Sequence, residues 1–292
     1  MISKLKMAIV NFLLHMAPVK KTIQKIEESH LSEIQKMESE YFQDSLIRMD
    51  NSAFDTKLSF LLKKVPNEFD NLCERYGTDK GYTNIAKRPF GWIPHNYSIY
   101  YSRIFADLRY AKINVFECGI GTNNPNLPSN MTENGNPGAS LRVWKEYFPN
   151  ACIYGADIDK SILFCEDRIV TAYMDHRNPK SIELYFEQLG DIQFEIMIDD
   201  GLHTFDSSIT LFENSIKHLN DTGIYIIEDV FPENFEHFSE YFSKFEYHVE
   251  YVVLENTDRK NVHDNCLITI SRGRSFPHRD NFGLDGGRAK WE

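Results

Sequence analysis

"FEIMIDDGLH", residues 194–203, is the stretch on which the fold turns. An apolar run long enough for one buried strand stops abruptly at Asp199 and Asp200, then Gly201 and His203. Near-continuous apolar sequence of this kind marks a strand covered by helices on both faces. Outward from it the same texture recurs in "INVFECG" (113–119), "CIYGADI" (152–158), "IVTAYMD" (169–175) and "GIYIIED" (223–229), with amphipathic stretches between. Strands alternating with helical patterns predict right-handed βαβ units in a parallel sheet. "YHVEYVVLE" (247–255) and "NCLITISR" (265–272) are joined by a polar segment too short for a crossover helix, so they are expected as an antiparallel pair at the sheet edge. The predicted fold is α/β: a Rossmann-like sheet of seven strands, mostly parallel, over residues 113–292. A helical cap region (66–112) and an N-terminal helical extension (1–65) are expected to precede it.

In the extension, "TIQKIEESHLSEIQKMESEYF" (22–42) sets Ile23, Ile26, Ile34, Met37 and Tyr41 on one stripe, suited to packing on its own domain or to a homo-oligomer. The apolar stretch Met7 to Ala17 is broken by Asn11 and His15 and is too short to span a bilayer. An amphipathic helix, with peripheral membrane contact as an alternative, is the expectation, and no transmembrane segment is. Lys and Arg number 32 against 43 Asp and Glu, a net charge of -11 spread along the chain, which argues against tracking a nucleic-acid backbone. A cation or a small polar ligand suits it better. Five cysteines without C-x-x-C spacing point to reduced thiols and the cytoplasm.

In open parallel sheets, ligands bind outside the carboxyl ends of the strands. The first run ends with Glu117, Gly119 and Gly121, but Asn124 stands where a dinucleotide fingerprint needs its third glycine. Asp157 could accept from a ribose diol and Asp175 could reach an adenine amino group; each alone could equally be a helix cap. Asp200, Glu228 and Asp229 are expected to converge at neighbouring strand ends. Carboxylates gathered this way repel unless a cation lies between them, and oxygen ligation suits Mg²⁺, Mn²⁺ or Ca²⁺. His203, beside them, is placed as a general base. Residues 75–105 read as a cap, with Thr78 and Lys80 toward a cofactor and Asp79, His95 and Tyr97 toward a substrate, or as an aromatic helix pair packed on the sheet. Residues 122–138, rich in Asn, Pro and Gly, are where a mobile lid would sit.

"ECGIGT" (117–122), "GADID" (155–159), and "IDDGLH" (198–203) followed by "IEDV" (227–230) resemble the class I S-adenosylmethionine-dependent methyltransferases. "YGTDKG" (76–81), "HNYSIYYSRIF" (95–105) and "GASLRVWKEYFPNACIYGADIDK" (138–160) narrow the likeness to metal-dependent sugar O-methyltransferases of the mycinamicin type. The resemblance covers about residues 72–272 and leaves 1–65 out. It implies that Glu117, Gly119 and Gly121 line the methionine part of S-adenosylmethionine and that Asp157 holds the ribose. Asp175 would lie near the adenine, with Asp159, Asp199, Thr78 and Lys80 also on the cofactor. Asp200, Glu228 and Asp229 would hold Mg²⁺, Asp199 being a runner-up ligand, and His203 with Asp200 would be catalytic. A composition rich in Asn, Lys, Ile, Phe and Tyr suggests an AT-rich bacterial genome. A nucleotide-activated hexose or heptose for surface polysaccharide is therefore the expected acceptor. Rivals are a catechol-type acceptor, an NAD-dependent Rossmann oxidoreductase, and a non-catalytic tether built on the N-terminal helices.

Overall fold

A nine-stranded sheet organises the computed structural model. The structure describes residues 57–61, 67–81, 87–255 and 264–272, all within the unit Ser52–Glu292. In chain order the elements are β1 (Lys57–Leu61), α1 (Glu68–Tyr76), α2 (Tyr97–Ile104), β2 (Asn114–Cys118), α3 (Ala139–Tyr147), β3 (Cys152–Asp157), β4 (Cys165–Glu166) and β5 (Ile169–Tyr173). Then come α4 (Pro179–Leu189), β6 (Phe194–Asp199), α5 (Phe205–Ser215), β7 (Leu219–Ile227), α6 (Phe235–Phe242), β8 (His248–Glu255) and β9 (Cys266–Ser271).

The strand order is β1-β8-β9-β7-β6-β2-β3-β5-β4. From β7 to β5 every neighbouring pair is parallel, and β9 runs antiparallel to both β7 and β8. The Rossmann-like sheet and the antiparallel final pair therefore stand as expected. Two short strands extend the expected seven. β4 folds back antiparallel on β5, and β1 pairs in parallel outside β8, so the β8–β9 pair is not the outermost edge. β1 also corrects the reading of residues 1–65 as wholly helical. The open edge of β8 supplies a hydrogen-bonding partner that no local periodicity records. The N-terminal stripe and the Met7–Ala17 stretch lie outside the described residues. The link from β3 to β5 contains no α-helix, only a 3-10 turn at Lys160–Ile162 and β4.

Alternation along the strands sorts the core into two faces. Val115, Ile153, Ile196, Ile198, Ile224 and Ile226 join the buried side chains of α1, α2 and α3 on one face. There Phe69, Tyr101 and Phe105 pack around Trp144 with ring centroids 5.0, 5.5 and 6.0 Å away. On the other face Phe116 meets Tyr185 and Phe186 of α4, and Tyr225 meets Phe212 of α5. The helices start where the sequence provides caps: Asn67 and Asp70 form a reciprocal capping box on α1, Asn178 precedes Pro179 at α4, and Thr204 caps α5. Such caps each contribute about 1 kcal/mol.

Candidate active site

The carboxyl ends of the parallel strands surround a cavity of about 340 Å³. Gly119 to Thr122 enter it after β2, Asp157 and Ile158 after β3, His176 and Arg177 after β5, Asp200 to His203 after β6, and Asp229 after β7. Thr78, Asp79 and His95 close it from the cap region.

Asp200, His203 and Asp229 form the one cluster among the described residues able to hold a metal ion, their ligand atoms within 4.8 Å of one another. His203 Nδ1 is 3.2 Å from Asp229 Oδ2, and its Nε2 is 3.6 Å from Asp200 Oδ1. His203 and Asp229 both adopt left-handed backbone, with φ of 60° and 53°. Non-glycine residues hold that conformation only where the surroundings enforce it, and such strain gathers at functional sites. Tyr97 donates its hydroxyl to Asp229 Oδ1 at 2.6 Å, while His95 Nε2 lies 3.5 Å from the same oxygen and stacks on the Tyr97 ring. Burial works against the carboxylate of Asp229, yet His95, His203 and Tyr97 together hold it below the usual range.

Glu228 is placed differently. Its Oε1 accepts from the Tyr101 hydroxyl at 2.6 Å, and its Oε2 pairs with Lys80. Lys80 also reaches Asp200 Oδ2 at 2.6 Å and Glu117 Oε1 at 3.2 Å. Lys80 thus sets an ammonium among Glu117, Asp200 and Glu228, a contact the sequence reading did not foresee. Burial disfavours that charge, but Asp200, Glu228 and Glu117 outweigh it and hold Lys80 protonated. Glu117 is fully buried and accepts from Trp144 Nε1 at 2.6 Å, so it braces the site from behind instead of lining the cavity. Lys80 and Tyr97, expected toward ligands, likewise stand behind the wall.

On the cofactor side, Asp157 lines the cavity, and its oxygens accept from the backbone N–H groups of Ile120 and Asp159 at 2.9 and 2.8 Å. Burial raises its carboxyl. Asp159 caps its own turn through Ser161 and accepts from the Thr122 hydroxyl at 2.5 Å. Asp175 is held by Arg177 at 2.9 and 3.0 Å, and it is the neighbours His176 and Arg177 that reach the cavity. Asp199 is buried away from the cavity, one oxygen accepting from Gly201 N–H at 3.3 Å and the other unpartnered. Neither His176 nor Arg177 stood out in the sequence; their signal was adjacency to Asp175 at a strand end. The loop at 122–138 adds Leu127, Pro128 and Met131 as an apolar wall.

No protein-family model matches the chain. It is 31% identical over 159 residues to the 8-demethyl-8-alpha-L-rhamnosyl tetracenomycin-C 2'-O-methyltransferase of Streptomyces olivaceus, a match covering 54% of this chain and 36% of that enzyme. It is 33% identical over 163 residues to the mycinamicin VI 2''-O-methyltransferase of Micromonospora griseorubida, covering 56% and 36%. The chain resembles the mycinamicin-type sugar O-methyltransferases. The matched stretch spans about a third of the length of these relatives. Among solved structures, MycE methyltransferase of the mycinamycin pathway, in complex with Mg and SAH, is 24% identical over 72% of this chain and 55% of that one, with a TM-score of 0.49.

Proposed function

We propose that the chain is an S-adenosylmethionine- and divalent-metal-dependent O-methyltransferase acting on a sugar hydroxyl. The observation that carries this reading is the Asp200–His203–Asp229 cluster opening onto the same cavity as the glycine turn and Asp157. The glycine turn and Asp157 both line this cavity, and Asp157 keeps lone pairs free for a ribose diol. Asn124 in place of a third glycine, together with the carboxylates, weighs against a dinucleotide.

The donor set fits a hard divalent cation. Asp200 and Asp229 supply oxygens, and Glu228 lies just behind, pushed up to about 7 by burial although Lys80 pairs with it. Its position with Lys80 makes Glu228 the reserve member of the expected Asp200, Glu228 and Asp229 ligand set. When bound, a divalent ion supplies positive charge that orients and acidifies a sugar hydroxyl. His203 is the base that removes the hydroxyl proton. Burial alone would lower its pKa, but Asp229 and Asp200 override it and push His203 up to about 10. At that value it is already protonated at neutral pH, so it works as a base only when the charge of the two carboxylates is offset. Metal requirement and base function are thus coupled through the same pair of acids. With S-adenosylmethionine bound beside it, the hydroxyl oxygen would take the methyl in line as the sulfur–carbon bond breaks and S-adenosylhomocysteine leaves, the hydroxyl proton resting on His203. Proximity would hold the partners without a covalent link to the protein.

Relatives named for methylating rhamnosyl and mycinamicin positions support a sugar acceptor. We infer further that the sugar is nucleotide-activated, a hexose or heptose for bacterial surface polysaccharide, with the composition of the chain as support. Small-molecule acceptor, homo-oligomer and cytoplasmic location belong to the same proposal. No described helix is long and apolar enough to cross a membrane.

The test is methyl transfer to a panel of nucleotide sugars, glycosides and catechols, with and without chelator, in wild type, His203→Ala and Asp200→Ala. Activity on a sugar that chelator and both variants abolish is expected. Full activity in all three conditions removes the metal-and-base reading, and preference for a catechol removes the sugar. Thermal stabilisation by S-adenosylhomocysteine and not by NAD is expected; the reverse points to an oxidoreductase.

A further inference from the structure

Three strand ends deliver Glu117, Asp200 and Glu228 to one point, and the Lys80 ammonium lies between them. Lys80 is 2% exposed, and its backbone is fixed by bonds from His95 N–H to the Asp79 carbonyl and from Ser98 N–H to the Lys80 carbonyl, 2.8 and 2.9 Å. Gly81 after it leaves no room for a Cβ, which would meet Cys73 Sγ at 2.8 Å. The lysine is therefore delivered by a rigid segment. Asp200 is divided: Oδ2 faces the ammonium while Oδ1 turns toward His203. Glu228 has one oxygen on Tyr101 and the other on Lys80. One ammonium faces three carboxyl groups, so it holds them together while Asp200 Oδ1 stays turned toward the cavity side, open to a further cation.

We propose that Lys80 is a positioning residue, an internal counter-ion that keeps Asp200 and Glu228 gathered before any divalent ion arrives and then competes with that ion for their charge. The inference rests on the metal reading above and adds that metal affinity is set from behind the site. Nothing about it requires Lys80 to touch a substrate.

The test compares wild type, Lys80→Met and Lys80→Arg by Mn²⁺ titration followed by electron paramagnetic resonance, and by thermal unfolding with and without Mn²⁺. Lys80→Met is expected to have a lower metal-free Tm, a larger rise in Tm on adding Mn²⁺ than wild type, and about tenfold tighter Mn²⁺ binding, or about 1.4 kcal/mol. Lys80→Arg keeps the charge and is expected to bind within about threefold of wild type. A lysine that merely holds the fold together would lower the Tm of Lys80→Met and leave Mn²⁺ affinity alone. If Lys80→Met does not fold without metal, native circular dichroism on refolding with Mn²⁺ supports the proposal, and failure to recover overturns it. Mn²⁺ binding by wild type with equal or weaker affinity in Lys80→Met overturns this inference alone. No Mn²⁺ binding by any of the three proteins overturns the metal reading with it.

Discussion

At Gly119 the chain has φ of 85°, and an added Cβ would sit 1.9 Å from the Asp200 carbonyl oxygen. Gly190 has a comparable φ of 70° with nothing within 4 Å. A positive φ costs an L-residue about 1–3 kcal/mol, and Gly190, with ψ of -139°, incurs it without any close approach. Gly190→Ala should therefore lose about that much in urea unfolding and leave Mn²⁺ binding unchanged. Gly119→Ala should lose at least about 1 kcal/mol more than Gly190→Ala and weaken Mn²⁺ binding, because it must also displace the strand end carrying Asp200. Equal losses in both would mean that close approach at Gly119 does not matter. Tyr97 gives a second prediction. Removing its hydroxyl in Tyr97→Phe takes away the 2.6 Å bond to Asp229 and should weaken Mn²⁺ binding about tenfold or more, read by the same titration, with a stability loss of about 1–3 kcal/mol. Unchanged Mn²⁺ affinity would leave Tyr97 a core residue only. The sequence had placed this tyrosine toward a substrate, because proximity of "HNY" to the cap was legible while the direction of the ring was not. For the adjacent acids, strand alternation held more information than was drawn from it. Val115 and Glu117 share one parity, as do Ile196, Ile198 and Asp200, and Ile224, Ile226 and Glu228, all on the face of α1–α3. Asp199 falls with Met197 on the opposite parity, buried beneath the cavity, which leaves Asp200 to face His203.

The segment 122–138 reads as a mobile lid because it is long and polar, yet its asparagines stitch it to itself. Asn123 Nδ2 donates to the carbonyls of Thr132 and Gly135 at 2.5 and 2.9 Å, Asn130 to Leu127, and Asn136 reaches the Tyr76 carbonyl at 2.8 Å. Met131 N–H closes the loop on Thr122, and the Met131 side chain lies where a Cβ on Gly121 would be. Asn side chains compete with regular structure by bonding backbone, so composition alone could not separate stitching from disorder. Asn123→Ala should raise amide hydrogen exchange across 123–135 by at least about tenfold while exchange in β6 and β7 stays unchanged, each tenfold being about 1.4 kcal/mol of local opening. If exchange in the loop is unaltered, the wall of Leu127, Pro128 and Met131 is held by packing alone. The same blindness to partners explains Asp159 and Asp175. Both are strand-end acids, but one caps a 3-10 turn and the other is taken by Arg177, outcomes decided two residues away in sequence and legible only as capping alternatives.

For the whole molecule, the apolar runs were enough to place the five central parallel strands and the antiparallel pair, because burial on both faces leaves so plain a pattern. Neither β1 nor Lys80 was legible in the same way. Lys80 meets residues 120 and 148 positions away, and β1 owes its existence to an edge formed nearly 200 residues later in the chain, from Lys57 against Tyr251 to Leu61 against Glu255. A pairing that distant depends on the finished topology, not on local propensity. It has a consequence for dissection. A cut chosen from the sequence at the end of the presumed helical extension, after residue 65, would remove β1 and bare the N–H and C=O row of β8, a strand whose Val252, Val253 and Leu254 are buried. Unpaired apolar edges of this kind recruit other chains. A protein beginning at Ser52, the start of the second unit, should keep its urea midpoint and elute as a single species. One beginning at Asn67 should unfold at lower urea and form higher oligomers on size exclusion. Indistinguishable behaviour of the two would mean that β1 contributes nothing to the sheet, and β8 would then be the true edge that the sequence reading expected.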